Sequence, residues 1–222
     1  NADGLSDGVK CVINASFSEQ NETWPYDWSD LCFEYEFQSN AELQTAVDLL
    51  VSDRATAIST YGGISFWDVS LITNMSELFK NKTDFNDDIS NWDVSSVTKM
   101  DSMFANANSF NQDISDWNVS SVMDMSYMFR QADAFNGDIS SWDVSSVTNM
   151  SYMFYFASSF NQDLSSWDVS SVTDMNGIFA GADSLSDENK CAIDTAWNYN
   201  EAWPYDWSYY CSLSGSTIEI PN

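Results

Sequence analysis

From Ile64 onward, apolar and polar positions recur with a fixed period of 25 residues. Segments opening at Ile64, Ile89, Ile114, Ile139 and Leu164 share the pattern I-S-x-W-D-V-S-S-V-T-x-M-x-x-M-F-x-x-A-x-x-F-N-x-D. Two apolar spacings coexist inside each segment. Trp67 and Val69 alternate around Asp68, as Trp92 and Val94 do around Asp93, which is the two-residue period of a strand. Met100, Met103, Phe104 and Ala107 then fall at i, i+3, i+4 and i+7, the spacing of one helix face. The pattern therefore predicts an α/β repeat solenoid of five turns, each one strand plus a short helical arc. A single segment cannot bury its own apolar face, so neighbours must stack and align equivalent residues. The expected ladders are Trp67, Trp92, Trp117, Trp142 and Trp167; Phe79, Phe104, Phe129, Phe154 and Phe179; and Phe85, Phe110, Phe135 and Phe160, continued by Leu185. The first turn departs from the pattern at Phe66 and Lys82, as a terminal repeat should.

The flanks carry a second regularity. Leu5-Ser6-Asp7, Lys10-Cys11, Ile13, Trp24-Pro25-Tyr26-Asp27-Trp28-Ser29 and Cys32 recur as Leu185-Ser186-Asp187, Lys190-Cys191, Ile193, Trp203-Pro204-Tyr205-Asp206-Trp207-Ser208 and Cys211. Residues 39–60 read as an amphipathic helix. Ser39 and Glu42 have capping-box spacing, and Leu43, Ala46, Val47 and Leu50 form one stripe. Four stretches follow: a disulfide-bearing N-terminal segment resembling an end cap (1–38), a capping helix with the entry to the first turn (39–63), the five-turn body (64–188), and a C-terminal disulfide cap and tail (189–222).

The W-D-V-S-S-V-T-x-M-S-x-M-F-x-x-A-x-x-F-N-x-D turn resembles the 25-residue surface-protein repeat of the BspA type, an outlying class of leucine-rich repeat. The likeness covers residues 64–185 and implies a leucine-rich-repeat-like fold and a place on a cell surface.

Composition narrows the field of partners. Thirty-four acidic residues against seven basic ones give a net charge of −27, which repels phosphate backbones and anionic membranes. No stretch reaches the roughly 18 apolar residues that spanning a bilayer needs, and a secretory leader, if there was one, is expected to be already removed. Four cysteines allow three pairings, of which the local ones, Cys11 with Cys32 and Cys191 with Cys211, are the simplest. Disulfides imply an oxidising compartment. Six N-x-S/T sequons, at Asn14, Asn21, Asn74, Asn81, Asn118 and Asn149, are the expected N-glycosylation sites. The location that follows is extracellular, secreted or on the cell surface.

Catalysis finds little support in the residues. The chain has no histidine, so serine–histidine and cysteine–histidine chemistry is excluded. Its aspartates recur with the period, whereas catalytic residues are normally singular. Asp88, Asp113, Asp138 and Asp163 form one row; Asp68, Asp93, Asn118, Asp143 and Asp168 form another. Such carboxylates either accept backbone N–H bonds in Asx turns, the leading reading, or offer oxygen ligands to calcium, for which the first row supplies the candidates. No cofactor is expected otherwise. Asn86, Asn111, Asn136 and Asn161 are expected to bond the chain's own backbone. Trp24, Trp28, Trp203 and Trp207, with the alternating Phe33, Tyr35 and Phe37 and the tail residues Ile218 and Ile220, are the candidate interface residues. The function expected on these grounds is that of an acidic, glycosylated, non-enzymatic extracellular module, self-associating end to end into a surface fibre or layer. The alternative is an adhesin or ligand-binding module that recognises glycan or protein through the solenoid face.

Overall fold

The computed structural model describes residues 34–214. In chain order these hold β1 (Tyr35–Glu36), α1 (Asn40–Ser52), α2 (Arg54–Tyr61), a 3-10 turn (Ile64–Phe66), β2 (Trp67–Asp68), α3 (Asp187–Trp197) and α4 (Ser208–Ser214). The only sheet among the described residues pairs β1 with β2 in parallel, Tyr35 opposite Trp67. Of the sequons, candidate interface residues and cysteines named above, Asn14, Asn21, Trp24, Trp28, Phe33, Ile218, Ile220 and the Cys11–Cys32 pair lie outside the described residues.

This architecture overturns the leucine-rich-repeat-like α/β solenoid of five strand-plus-helix turns. Among the described residues, helices stand only before and after residues 69–186, and the strands number two, both short. The helical arc fails for a specific reason. Met103, Ala105 and Ala107 donate their N–H groups three residues back, to Met100, Ser102 and Phe104, while Met100, Ser102, Phe104 and Asn106 donate to Asp124, Ser126, Met128 and Arg130 one segment on. Alternate N–H groups thus leave the segment, and Ser102 and Asn106 take left-handed φ values of 56° and 58°. An α-helix can do neither. The apolar spacing that looked helical belongs to a run of consecutive tight turns. The strand fails likewise: Trp92 donates to Ile89 three residues back, and Asp93 closes an Asx turn on the Ser95 N–H at 3.0 Å.

What holds the segments together is backbone hydrogen bonding at the sequence period. Met75, Met100, Met125 and Met150 donate to the carbonyls of Lys99, Asp124, Asn149 and Asp174 at 2.9, 3.0, 3.0 and 2.9 Å. Isolated parallel bridges connect Asn74, Lys99, Asp124, Asn149 and Asp174 in series. Asn111, Asn136, Asn161 and Ser186 donate their N–H groups to the side-chain oxygens of Asn86, Asn111, Asn136 and Asn161.

Inside lies one aromatic core. Phe79, Phe104, Phe129, Phe154 and Phe179 stack at centroid spacings of 5.4, 5.6, 5.7 and 5.5 Å. Each of the first four also meets its own segment's second phenylalanine, as Phe129 meets Phe135 at 3.9 Å. A fully buried ring of this kind contributes about 2–3 kcal/mol. The tryptophan indoles are buried without orphaning their N–H groups: Trp92, Trp117, Trp142 and Trp167 donate Nε1–H to the carbonyls of Ile64, Ile89, Ile114 and Ile139.

Both ends of this core are covered. At the entrance, α1 inserts Leu43, Ala46, Val47 and Leu50, and Phe37 packs on Trp67 at 5.0 Å. The Ser39 hydroxyl accepts from the Glu42 N–H, so the capping box starts α1 where the sequence places it. The single helix expected over 39–60 is broken at Asp53, which caps a second helix by accepting from the Thr56 N–H. At the exit, Trp197 of α3 lies on Trp167 and Phe179. Asn200 Nδ2 donates to the Val169 and Val172 carbonyls at 2.6 and 3.0 Å, and the Tyr205 hydroxyl accepts from the Phe179 N–H. A disulfide joins Cys191 on α3 to Cys211 on α4.

Closed ends and a two-stranded sheet remove the basis for an end-to-end fibre or layer, and with it for a structural filament. The β1 strand spends its hydrogen bonds on β2, and no continuous sheet face exists among the described residues on which an adhesin could rely. The molecule instead has a buried aromatic core and internal ion pairs, among them Arg54 with Asp87 at 2.8 Å and Lys82 with Asp48 at 2.6 Å.

Candidate functional site

The four aspartates named as calcium candidates stand one per segment, each closing a turn of its own. Asp88, Asp113, Asp138 and Asp163 each accept the backbone N–H two residues on, from Ser90, Ser115, Ser140 and Ser165, at 2.9–3.0 Å. Asp68, Asp93, Asn118, Asp143 and Asp168 do the same with Ser70, Ser95, Ser120, Ser145 and Ser170. The Ser115 hydroxyl, then its N–H, hold Asp113 below the usual carboxylate range; Ser140 does so for Asp138, against a smaller opposing effect of Asp113. No three acidic or cysteine side chains converge as a metal site among the described residues.

The candidate interface residues also have internal partners. Trp203 donates Nε1–H to Asp194 Oδ1 at 2.9 Å, the Trp207 N–H meets the same oxygen, and both rings are partly buried against the core. Phe37 is fully buried, and the Tyr35 hydroxyl donates to Glu42 at 2.5 Å. Of the sequons, Asn74, Asn81 and Asn118 are exposed and Asn149 is half-buried. A cleft of about 590 Å³ beside α1 gathers Arg54, Lys80 and Lys82, but Asp87, Glu77 and Asp48 already neutralise them.

One surface feature is left without an internal explanation. Tyr127, Tyr152, Tyr155 and Phe156 form a continuous cluster on the outside of the third and fourth segments. Tyr127 and Tyr152 stack at 5.1 Å, Tyr152 meets Tyr155 edge-on at 5.4 Å, and Tyr155 meets Phe156 at 4.6 Å. Arg130 lies 6.0 Å above the Tyr155 ring and donates to Asn106 Oδ1. Phe156 is 48% exposed and Tyr127 37%, so this apolar area faces water.

Backbone geometry creates the display. Two positions in every segment take left-handed φ: Glu77, Ser102, Tyr127, Tyr152 and Gly177 in one row, and Asn81, Asn106, Gln131, Phe156 and Gly181 in the other. Glycine appears only in the fifth segment, beneath the aromatic side chains of the fourth. A Cβ on Gly177 would lie 2.6 Å from Tyr152 Cε1, and one on Gly181 would lie 2.7 Å from Phe156 Cδ1. The glycines therefore make room for the two rings to lie against the surface.

Sequence reasoning passed over these residues because they occupy the variable positions of the period. The available signal was the contrast with neighbouring segments, which carry Ser102, Ala105 and Asn106 or Gly177, Ala180 and Gly181 at the same places. Core positions explain aromatic residues by burial; these positions do not. Tyrosine, phenylalanine and arginine are enriched at protein interfaces, and tyrosine and arginine at their hot spots, where rigid rings bring area at small entropic cost.

Comparison with known proteins corrects the expected kinship. A family model described as "Mycoplasma protein of unknown function, DUF285" matches residues 51–142 and again 116–204, and the BspA-type leucine-rich-repeat resemblance gives way to it. With that resemblance goes the leucine-rich-repeat surface-protein identity it implied. No curated protein and no solved structure matches the chain.

Proposed function

Because the chain belongs to the family described as "Mycoplasma protein of unknown function, DUF285", whose description assigns no activity, we propose from geometry that it is a non-catalytic binding protein holding a protein ligand on the Tyr127–Tyr152–Tyr155–Phe156 cluster. The exposed cluster itself carries this reading. Contiguous exposed aromatic surface is unfavourable in water unless something covers it, and here no segment of the described chain does. Two glycines are placed to seat the rings, which is more than chance exposure of one side chain would need.

A non-catalytic role is supported by the fate of the carboxylates, which are engaged in Asx turns with serine donors instead of paired across a cleft. The Cys191–Cys211 bridge supports a place in an oxidising compartment such as the cell exterior. Among the described residues no helix is long and apolar enough to cross a membrane.

The test is selection of a random dodecapeptide phage library on the protein, with counter-selection on the Tyr152→Ala/Phe156→Ala variant. Enriched sequences that bind the protein and not the variant are expected. If every enriched clone binds both equally, the cluster is not the ligand seat.

A further inference from the structure

The charge around the aromatic cluster says what kind of protein surface fits it. On one side runs the bridged row Lys99, Asp124, Asn149 and Asp174, in which Asp124 stands three residues before Tyr127, Asn149 three before Tyr152 and Asp174 three before Gly177. On the other side stand Asp133 and Asp183, both exposed, two residues beyond Gln131 and Gly181. Asp133 reaches the fourth segment directly: it lies 3.5 Å from the hydroxyl of Ser158, two residues after Phe156. Among the described residues the aromatic centre thus has carboxylates on both sides and Arg130 over the Tyr155 ring.

We propose that this cluster is the docking surface for a cationic peptide segment of a partner protein, one that sets an apolar side chain among Tyr152, Tyr155 and Phe156 and lysine or arginine side chains over the flanking aspartates. The inference rests on the cluster being a ligand seat and adds the chemistry of the ligand. Two physical effects favour it. A net charge of −27 raises the encounter rate with cations and rejects acidic surfaces. Tyrosine rings also attract cations over their faces, as Arg130 already shows over Tyr155. A neutral apolar ligand would use the rings and leave both carboxylate rows idle.

The experiment uses three labelled dodecapeptides of one design: a central phenylalanine flanked on both sides by arginine, by glutamate or by serine. Each is titrated into the protein while the Tyr127 and Tyr152 ring resonances are followed. Expected is binding of the arginine peptide, weakened about tenfold or more by Tyr152→Ala, weakened by Asp133→Asn with Asp183→Asn, and reduced by added salt. Equal binding of the serine peptide overturns the cationic assignment, as does binding of the arginine peptide that survives Tyr152→Ala, which marks unspecific attraction to an acidic protein. Either result leaves the binding role to be judged by the phage selection, where loss of cluster dependence is the separate failure.

Discussion

Replacing Gly177 by alanine separates backbone strain from steric conflict at one residue. The glycine has φ +61°, but Glu77, Ser102, Tyr127 and Tyr152 hold the same conformation at the equivalent places, at φ 62°, 56°, 57° and 55°. The fold therefore already sustains the left-handed cost of about 1 kcal/mol per residue without glycine. What distinguishes Gly177 is the Tyr152 ring, 2.6 Å from the alanine methyl position. Overpacking costs about 1–3 kcal/mol, and a half-exposed ring can swing aside, so the low end applies. Gly177→Ala should destabilise by about 2 kcal/mol in total, read from the urea midpoint at unchanged slope. In a Tyr152→Ala background the steric half should vanish, leaving a coupling of about 1 kcal/mol. Additivity within about 0.3–0.5 kcal/mol would refute the account, because it would mean that the ring does not depend on the glycine.

Three further outcomes follow from the geometry. Asp93, Asp113, Asp138 and Asp143 have their folded-state pKa values lowered by serine donors, so the stability they contribute is present above the ordinary carboxylate range and lost as pH falls through the folded values. Urea midpoints should accordingly fall on acidification below about pH 4, and Ser115→Ala with Ser140→Ala should flatten that fall; an unchanged profile would exclude the Asx turns as its source. Reducing the Cys191–Cys211 bridge, which spans 20 residues, should cost about 3 kcal/mol if the exit cap unfolds with the core, measured by comparing midpoints with and without reductant. Asn200→Ala leaves the Val169 and Val172 carbonyls without their side-chain donor and should cost about 1–3 kcal/mol, with amide exchange near Trp167 accelerating first; exchange that quickens only near the entrance helices would contradict that placement.

Much of the interior was readable in the pattern. Trp92, Phe104 and Phe110 are buried at the depth their recurrence implies, and Ser39 and Glu42 announced the start of α1. Asn111 and Asn136 bond the backbone, as polar residues at fixed places between apolar ones should. The local conformation was not readable, because Met100, Met103, Phe104 and Ala107 obey helical spacing whether they lie on a helix or on successive three-residue turns; the φ signs at Ser102 and Asn106 and the N–H bonds of Met100 and Phe104 to the next segment distinguish the two. The ion pair of Arg54 with Asp87 was hidden as well, since it depends on where α2 sits and not on any local motif. The exposed cluster escaped for a different reason: Tyr155 and Phe156 look like ordinary core formers until the fold shows which side of the chain they face.

The alternation of amide partners in the first four segments, from Met75 to Phe156, also shapes how this protein would look to a spectroscopist. Its peptide groups between the two ends are held in successive turns and not in helices, so the far-ultraviolet dichroism would carry only a small helical component from the two ends. Parallel phenyl and indole rings 5.4 to 6.5 Å apart would add exciton bands of their own. A spectrum taken alone would suggest a disordered chain, while amide protons such as those of Met100 and Phe104 would resist exchange for as long as the whole domain stays closed.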